Sequence, residues 1–320
     1  MSAKEINRAA AEKLLMSPWW QPEYADLISP EMTIEFPNAV PGMPQNMDAF
    51  DAKLFRKWMT ATVKNWSVEL IELYGTPDEG SFWAVSEVSA DVHWGGKDGH
   101  FASRRFDNLL LKDGVLVKLR ELTNPLKWLE AIGAEVPIFR MDLMDQRIDD
   151  FMAASTGEAH NPVSEDIPSD PESVRQRIQN CLDAYRQPGY WDAVGSLASY
   201  APDATSAVWF LPPEMGEEYP AEMMPRVEAW SVLSCPVIDF DESGVSHATD
   251  DPYTWFCEYK CSGVTDWIGN NAPNSRYRNR YWYILRFDKL GRISRCEEIL
   301  NPVNKFNSIG VSIPTFPYYY

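Results

Sequence analysis

The chain of 320 residues exceeds the roughly 100–200 of one ordinary domain, and its 45% hydrophobic content can furnish two cores. Its formal charge of −18 repels phosphate backbones and anionic lipid heads, which argues against nucleic acid as a partner. No stretch approaches the roughly 18 apolar residues that span a bilayer. The charged, amphipathic start MSAKEINRAAAEKLLM lacks the apolar core and small-residue cleavage site of an export signal, so a cytoplasmic protein is expected.

In chain order, residues 4–16, about 21–29 and Asp48 to Thr62 show helical spacing of apolar side chains. Alternating segments then predict strands at WSVELIELYG, FWAVSEVSADVHW, SRRFDNLLL and VLVKLRELT, with a hairpin turn at Lys112 to Gly114 between the last two. An Asn124-Pro125 step, a short helix and an extended tail with Pro137 complete this half. From Met141 to Ser173 the sequence is acidic and rich in Pro and Ser, and reads as a linker with one helical turn near Gln146 to Met152. His160 falls in this linker. The same order then recurs: helices near 173–186, 190–199 and 222–234, strands at TWFCEYKCSGVTDW, RNRYWYILRF and ISRCEEIL, and a turn at Asp288 to Gly291.

The recurrence is a duplication. RELTNPLKWLEAIGAEVPIF, from Arg120, aligns without a gap with EEILNPVNKFNSIGVSIPTF, from Glu297. Glu121 and Glu298, Asn124 and Asn301, Pro125 and Pro302, and Gly133 and Gly310 are each 177 positions apart, as are Gly114 and Gly291. Upstream, TPDEGSFW matches TDDPYTWF at 173, and Pro18, Leu27 and Ser29 match Pro188, Leu197 and Ser199 at 170. A slowly rising offset is what small loop insertions in the second copy produce. The expected division is a first module at 1–140, a linker at 141–172 and a second module at 173–320. Helices followed by an antiparallel meander predict an α+β module, a curved sheet wrapped around its helices.

These residues resemble the SnoaL-like branch of the cone-shaped nuclear-transport-factor-two-like fold, and within it the phenazine-biosynthesis A/B type. The features that carry the likeness are the turn glycine, a glutamate seven residues after it, an Asn three further on, and the tails AIGAEVP and SIGVSIP. YRNRYWYILRF, from Tyr277, is similar to the family's Y-x-N strand. The resemblance implies one conical pocket per module. As family members are usually homodimers, it also implies that this chain is a fused pseudo-dimer; whether fused pairs associate further stays open.

A carboxyl group on a strand facing an apolar cavity is penalised when ionised and can then serve as an acid or base near neutral pH. Glu121 and Glu298 are the candidates, and the resemblance places an acidic pocket residue at their positions. The alternative is a surface salt bridge to the neighbouring Arg120 or Arg295. Alternation along the strand sends Glu297 to the face opposite Glu298. One of Arg104 or Arg105, and one of Arg278 or Arg280, can point inward to hold an oxyanion; Arg105 and Arg280 are the candidates, against the reading of solvent-facing ion pairs. Tyr277 and Tyr281 can donate to an oxyanion or simply be buried. His93 and His100 flank the hairpin HWGGKDGH, and His100 is a candidate where that hairpin meets a pocket mouth, the alternative being a surface loop.

The phenazine members carry a histidine on the third helix, four residues before a serine. Here Val227 precedes Ser231, and the first copy has Phe55 and Met59, so another acid/base reaction is implied. No metal is expected, because no metal-ligand spacing occurs, and the absence of Gly-rich phosphate loops and GxSxG elbows gives no support to a nucleotide cofactor or a hydrolase triad. The five cysteines all lie in the second half, without a CxxC pair, and read as buried thiols.

Thirteen Trp, 14 Tyr and 14 Phe suit an apolar or aromatic ligand. The resulting expectation is a cofactor-independent lyase, isomerase, dehydratase or cyclase acting on a hydrophobic aromatic small molecule. Lyase chemistry on lignin-derived diaryl compounds is one such activity of SnoaL-like enzymes. The alternative is a non-catalytic binding or assembly protein.

Overall fold

The computed structural model describes residues 2–138, 144–154, 166, 170–185, 200–210, 218–220, 223–240, 244–266 and 275–318. His160, the helix expected at 190–199 and the matched residues Pro188, Leu197 and Ser199 lie outside these residues. The chain forms two compact units: unit 1 is Met1–Val136 with Ile313–Tyr320, and unit 2 is Pro137–Ser312. Each is α+β. No helix among the described residues is long and apolar enough to cross a membrane.

Unit 1 begins with α1 (Ala3–Leu15), capped by Ser2 and Glu5, each side chain bonding to the other's backbone N–H. A 3-10 turn (Pro22–Leu27) leads into β1 (Ile28–Glu35). The short β2 (Asn46–Met47) and α2 (Ala49–Thr62) follow, and then the long strands β3 (Val63–Gly75), β4 (Ser81–Trp94), β5 (Lys97–Lys112) and β6 (Val115–Thr123). The sheet order is β2-β1-β6-β5-β4-β3. It is mixed rather than wholly antiparallel, because β1 runs parallel to β6.

The helix expected at 21–29 is thus a turn and the start of a strand. Pro30 hides that strand: it cannot donate to the ladder, and the register of β1 on β6 shifts between Ile28 and Thr33. Unit 2 repeats the device. Its strand β7 (Tyr200–Trp209) contains Pro202, pairs in parallel with β13 (Ile293–Ile299), and shifts register in the corresponding place.

The rest of unit 2 comprises α4 (Asp145–Ala154), α5 (Pro171–Tyr185), β8 (Glu218–Tyr219), α6 (Met224–Ser234), β9 (Val237–Phe240), β10 (Val245–Ala248), β11 (Thr254–Thr265) and β12 (Ser275–Phe287). The sheet order is β10-β11-β12-β13-β7-β8, with β9 also on β11. Within the expected linker, α4 is more than a single turn. It buries Ile148, and its Asp145 and Asp149 pair with Arg226 of α6.

The gapless repeat has a local cause. Asn124 and Asn301 each accept a hydrogen bond from the backbone N–H two residues on, at 3.0 Å, capping the short helices α3 (Pro125–Ala131) and α7 (Pro302–Ser308), and proline opens both. Gly133 and Gly310, at φ of 66° and 76°, terminate them in the left-handed region where a side chain is strained. Asp113 and Gly114, at φ of 53° and 79°, form the two-residue hairpin turn between β5 and β6.

The tail Ile313–Tyr320 follows the second copy in sequence but belongs to unit 1, unlike the expected division at 173–320. Phe316 donates its N–H to the Pro41 carbonyl at 2.6 Å and is 1% exposed. A Cβ added at Gly42 would lie 2.3 Å from the Phe316 carbonyl oxygen, and one at Gly95 would lie 2.3 Å from the Pro317 ring, so the tail's seat depends on these glycines.

Candidate active site

The centre of unit 1 is aromatic. Trp94 and Trp128 stack at 4.6 Å with planes 7° apart, and Trp58 stacks on Trp94 at 5.7 Å. Phe316 meets Trp58, Trp94 and Trp128 edge-on. Beside this stack lies a narrow cavity of about 10 Å³, room for about one water molecule, bounded by α2, β3, β4, β5 and β6. Trp19, Trp20, Trp66, Phe55, Met59 and Phe101 supply much of its wall. On α2 the positions where the resemblance calls for a histidine and, four residues on, a serine are filled by Phe55 and Met59, so these two positions offer no ionisable group.

Glu121 reaches this space from β6, as does Thr123 two residues on. Both also border a second narrow cavity, likewise of about 10 Å³, walled by Phe36, Val40 and Met43. Thr123 accepts a hydrogen bond from the Trp128 indole at 2.9 Å, which fixes the edge of the stack. The Glu121 side chain is 12% exposed. Burial raises its pKa, and Arg105 partly opposes the rise.

Arg105 comes from β5 and is 1% exposed. Its guanidinium lies 2.8 Å from Asp107 and 3.9 Å from Glu121. It donates to the Ser86 hydroxyl at 3.1 Å and to the Leu15 carbonyl at the end of α1, also at 3.1 Å. Arg105 therefore points inward, but its donors are directed to groups of the protein. Asp107, likewise 1% exposed, was missed in the sequence, where an aspartate on an alternating strand carries no signal of its own. It stands directly across the ladder from Glu121. Burial pushes its carboxyl up to about 8, with Arg105 opposing and Glu121 adding to the rise.

Neither glutamate takes the neighbouring arginine expected as the alternative. Arg120 pairs with Glu35 at 2.8 Å, on the other face of β6 from Glu121. His100 is not brought to the site. It alternates with Phe101, which lines the space, so its ring faces the other way, 63% exposed and 3.2 Å from Asp91. His93 is also exposed and pairs with Asp98 at 2.7 Å.

In unit 2, Glu298 stands across the ladder from Tyr283 and accepts a hydrogen bond from its hydroxyl. Burial raises the Glu298 carboxyl to about 7, opposed by Lys305 and by this bond. Lys305 is 3% exposed, its ammonium 4.1 Å from the centre of the Trp230 ring. Tyr281 lies on the same side of β12 as Tyr283, its hydroxyl 2.6 Å from that of Tyr277. Burial raises both phenols well above their usual value. Glu297 faces the opposite side, between Arg286 and Arg295. Arg280 also faces away from Glu298: it pairs with Glu258 and covers the Trp282 ring at 4.7 Å. Cys235, Cys257, Cys261 and Cys296 are buried.

A carboxyl raised from 4.5 in the unfolded chain to about 7 in the native one favours folding fully below pH 4.5. At ~1.4 kcal/mol per pKa unit, that contribution, about 3 kcal/mol, is lost as pH rises through 7. Glu298→Gln is expected to flatten the fall in unfolding free energy between pH 4.5 and 7.5; chemical denaturation at several pH values checks this.

No protein-family model matches the sequence, and no curated protein is similar to it in sequence. Solved structures are similar to parts of it. A phenazine biosynthesis-related protein from Pseudomonas aeruginosa matches 46% of this chain over 93% of its own length, at 18% identity and a TM-score of 0.41. A protein from Bacillus subtilis described as an isomerase matches 42% over 98% of its length, at 19% identity and a TM-score of 0.37. A protein from Jannaschia sp. CCS1 described as a SnoaL-like polyketide cyclase matches 41% over 94%, at 15% identity and a TM-score of 0.34. Each of these proteins is thus matched nearly whole by less than half of this chain.

Proposed function

We propose that unit 1 is a proton-transfer enzyme for an uncharged aromatic small molecule, with Glu121 as its acid and base. The observation that carries this reading is that Glu121 is the one ionisable side chain among the described residues lining the tryptophan-walled space. Apolar walls select an apolar ligand and exclude water, and the same exclusion raises the pKa of the carboxyl, with Arg105 opposing the rise. Such a group can remove a proton from one ligand atom and return it to another. Isomerisation, cyclisation and elimination all follow from that exchange. Diaryl compounds of the lignin-derived kind match walls of this composition, and seating one requires the side chains around the cavity of about 10 Å³ to part.

The test has two stages. Uncharged diaryl and fused-ring aromatic compounds are titrated against tryptophan fluorescence, where ligands that enter the space are expected to quench. Compounds that quench are then incubated with the protein and followed by mass spectrometry, with a product of unchanged mass, or one lacking a small neutral fragment, as the expected result. Saturable quenching without turnover for any compound would replace the enzyme with a binding protein.

A further inference from the structure

Three ionisable side chains, Arg105, Asp107 and Glu121, share one small buried volume in unit 1. Asp107 and Glu121 are direct cross-strand partners, and Arg105 lies two residues from Asp107 on the same strand, so all three project from one face of the sheet. The surrounding groups are Ser86 from β4, the Leu15 carbonyl at the end of α1, and the Trp66 ring from β3, 5.6 Å from the guanidinium. None of these brings a second cation. Neither carboxyl oxygen of Asp107 accepts a hydrogen bond from a described residue; its contact is the 2.8 Å ion pair with Arg105. Two carboxylates and one guanidinium would leave a net negative charge out of water, a costly state that one bound proton removes.

We propose that Asp107 is a positioning residue for Glu121: the two carboxyls bind one proton between them at neutral pH, and Arg105 balances the single charge that remains. The inference rests on the role given to Glu121 above and specifies how its protonation is set. With the proton on Asp107, Glu121 is a base; with the proton on Glu121, it is an acid, and the total charge of the trio is zero in both arrangements. When Glu121 takes a proton from the ligand, the pair holds two protons, and the trio becomes a cation beside the ligand anion. Return of a proton to a different ligand atom restores the starting state, with no other reactant consumed.

The test needs no substrate. Side-chain carboxyls are labelled with carbon-13 in the full-length protein carrying Glu298→Gln, which removes the raised carboxyl of unit 2, and are titrated by NMR. The expected result is one carboxyl step near pH 8 that disappears in both Asp107→Asn and Glu121→Gln, the carboxyl left in each losing its proton at least one pH unit, or tenfold in proton concentration, lower. Persistence of the step near pH 8 in Glu121→Gln would assign the proton to Asp107 alone and overturn the proposal, as would its absence from the parent protein. Should Asp107→Asn fail to fold, Glu121→Gln decides by itself. A shared proton in a protein that turns over no aromatic ligand would overturn the enzymatic reading and leave this one standing.

Discussion

Glu121→Gln is expected to lower kcat for an aromatic ligand of unit 1 by roughly 10²–10⁴-fold, the usual contribution of a positioned acid or base. The amide occupies nearly the same volume and keeps a polar group at the wall, so KM should change far less than kcat. A group that merely binds the ligand would show the reverse split. His100→Gln is the control, because its ring faces solvent on the opposite side of β5. Steady-state kinetics on the first compound turned over checks the prediction, with thermal unfolding to establish that the variant is folded. Undiminished turnover in a folded Glu121→Gln protein would remove Glu121 from the mechanism.

Phe316→Ala is expected to destabilise unit 1 by about 3–5 kcal/mol, the range for deleting a buried phenylalanine ring from a packed core. The ring touches three tryptophans, with centroids at 6.2, 5.4 and 5.5 Å, and Tyr318 adds an edge-on contact with Trp58 at 5.0 Å. Urea unfolding followed by tryptophan fluorescence reads the change where the contacts are made. A loss under about 1 kcal/mol would mean that the tail does not occupy this seat in solution. The expectation has a practical corollary: a chain cut at Val136 lacks part of its own aromatic core, so unit 1 is not obtained by expressing the first repeat alone.

The two repeats have diverged around a shared glutamate. Opposite Glu121 stands Asp107, with Arg105 as the buried cation. Opposite Glu298 stands Tyr283, and the cation comes from α7 as Lys305. A tyrosine is neutral over the pH range in which a second carboxyl titrates, so Glu298 has a hydrogen-bond donor where Glu121 has a competitor for a proton. Equivalent chemistry in the two units does not follow from the repeat.

Much of the fold was legible because it depends on local rules. The Asn-Pro starts and glycine stops of α3 and α7 follow from helix-end hydrogen bonding, and the turn at Lys112 to Gly114 from the need for positive φ. Alternation placed Glu297 and Glu298 on opposite faces, as their different partners show. The strands β1 and β7 escaped notice because Pro30 and Pro202 interrupt their periodicity, and only their pairing with β6 and β13 makes them strands.

The sequence by itself determined the duplication, the α+β elements and the opposite facing of Glu297 and Glu298, since each is written in spacing along the chain. Tertiary structure alone decided what surrounds Glu121. Asp107 gains meaning from cross-strand register, Arg105 from groups on α1, β4 and β6, and Phe316 from a seat roughly 190 to 270 residues away in sequence, beside Trp128 and Gly42. Protonation depends on how much water and how many charges lie within a few ångströms, and that neighbourhood exists only once distant strands have been brought together.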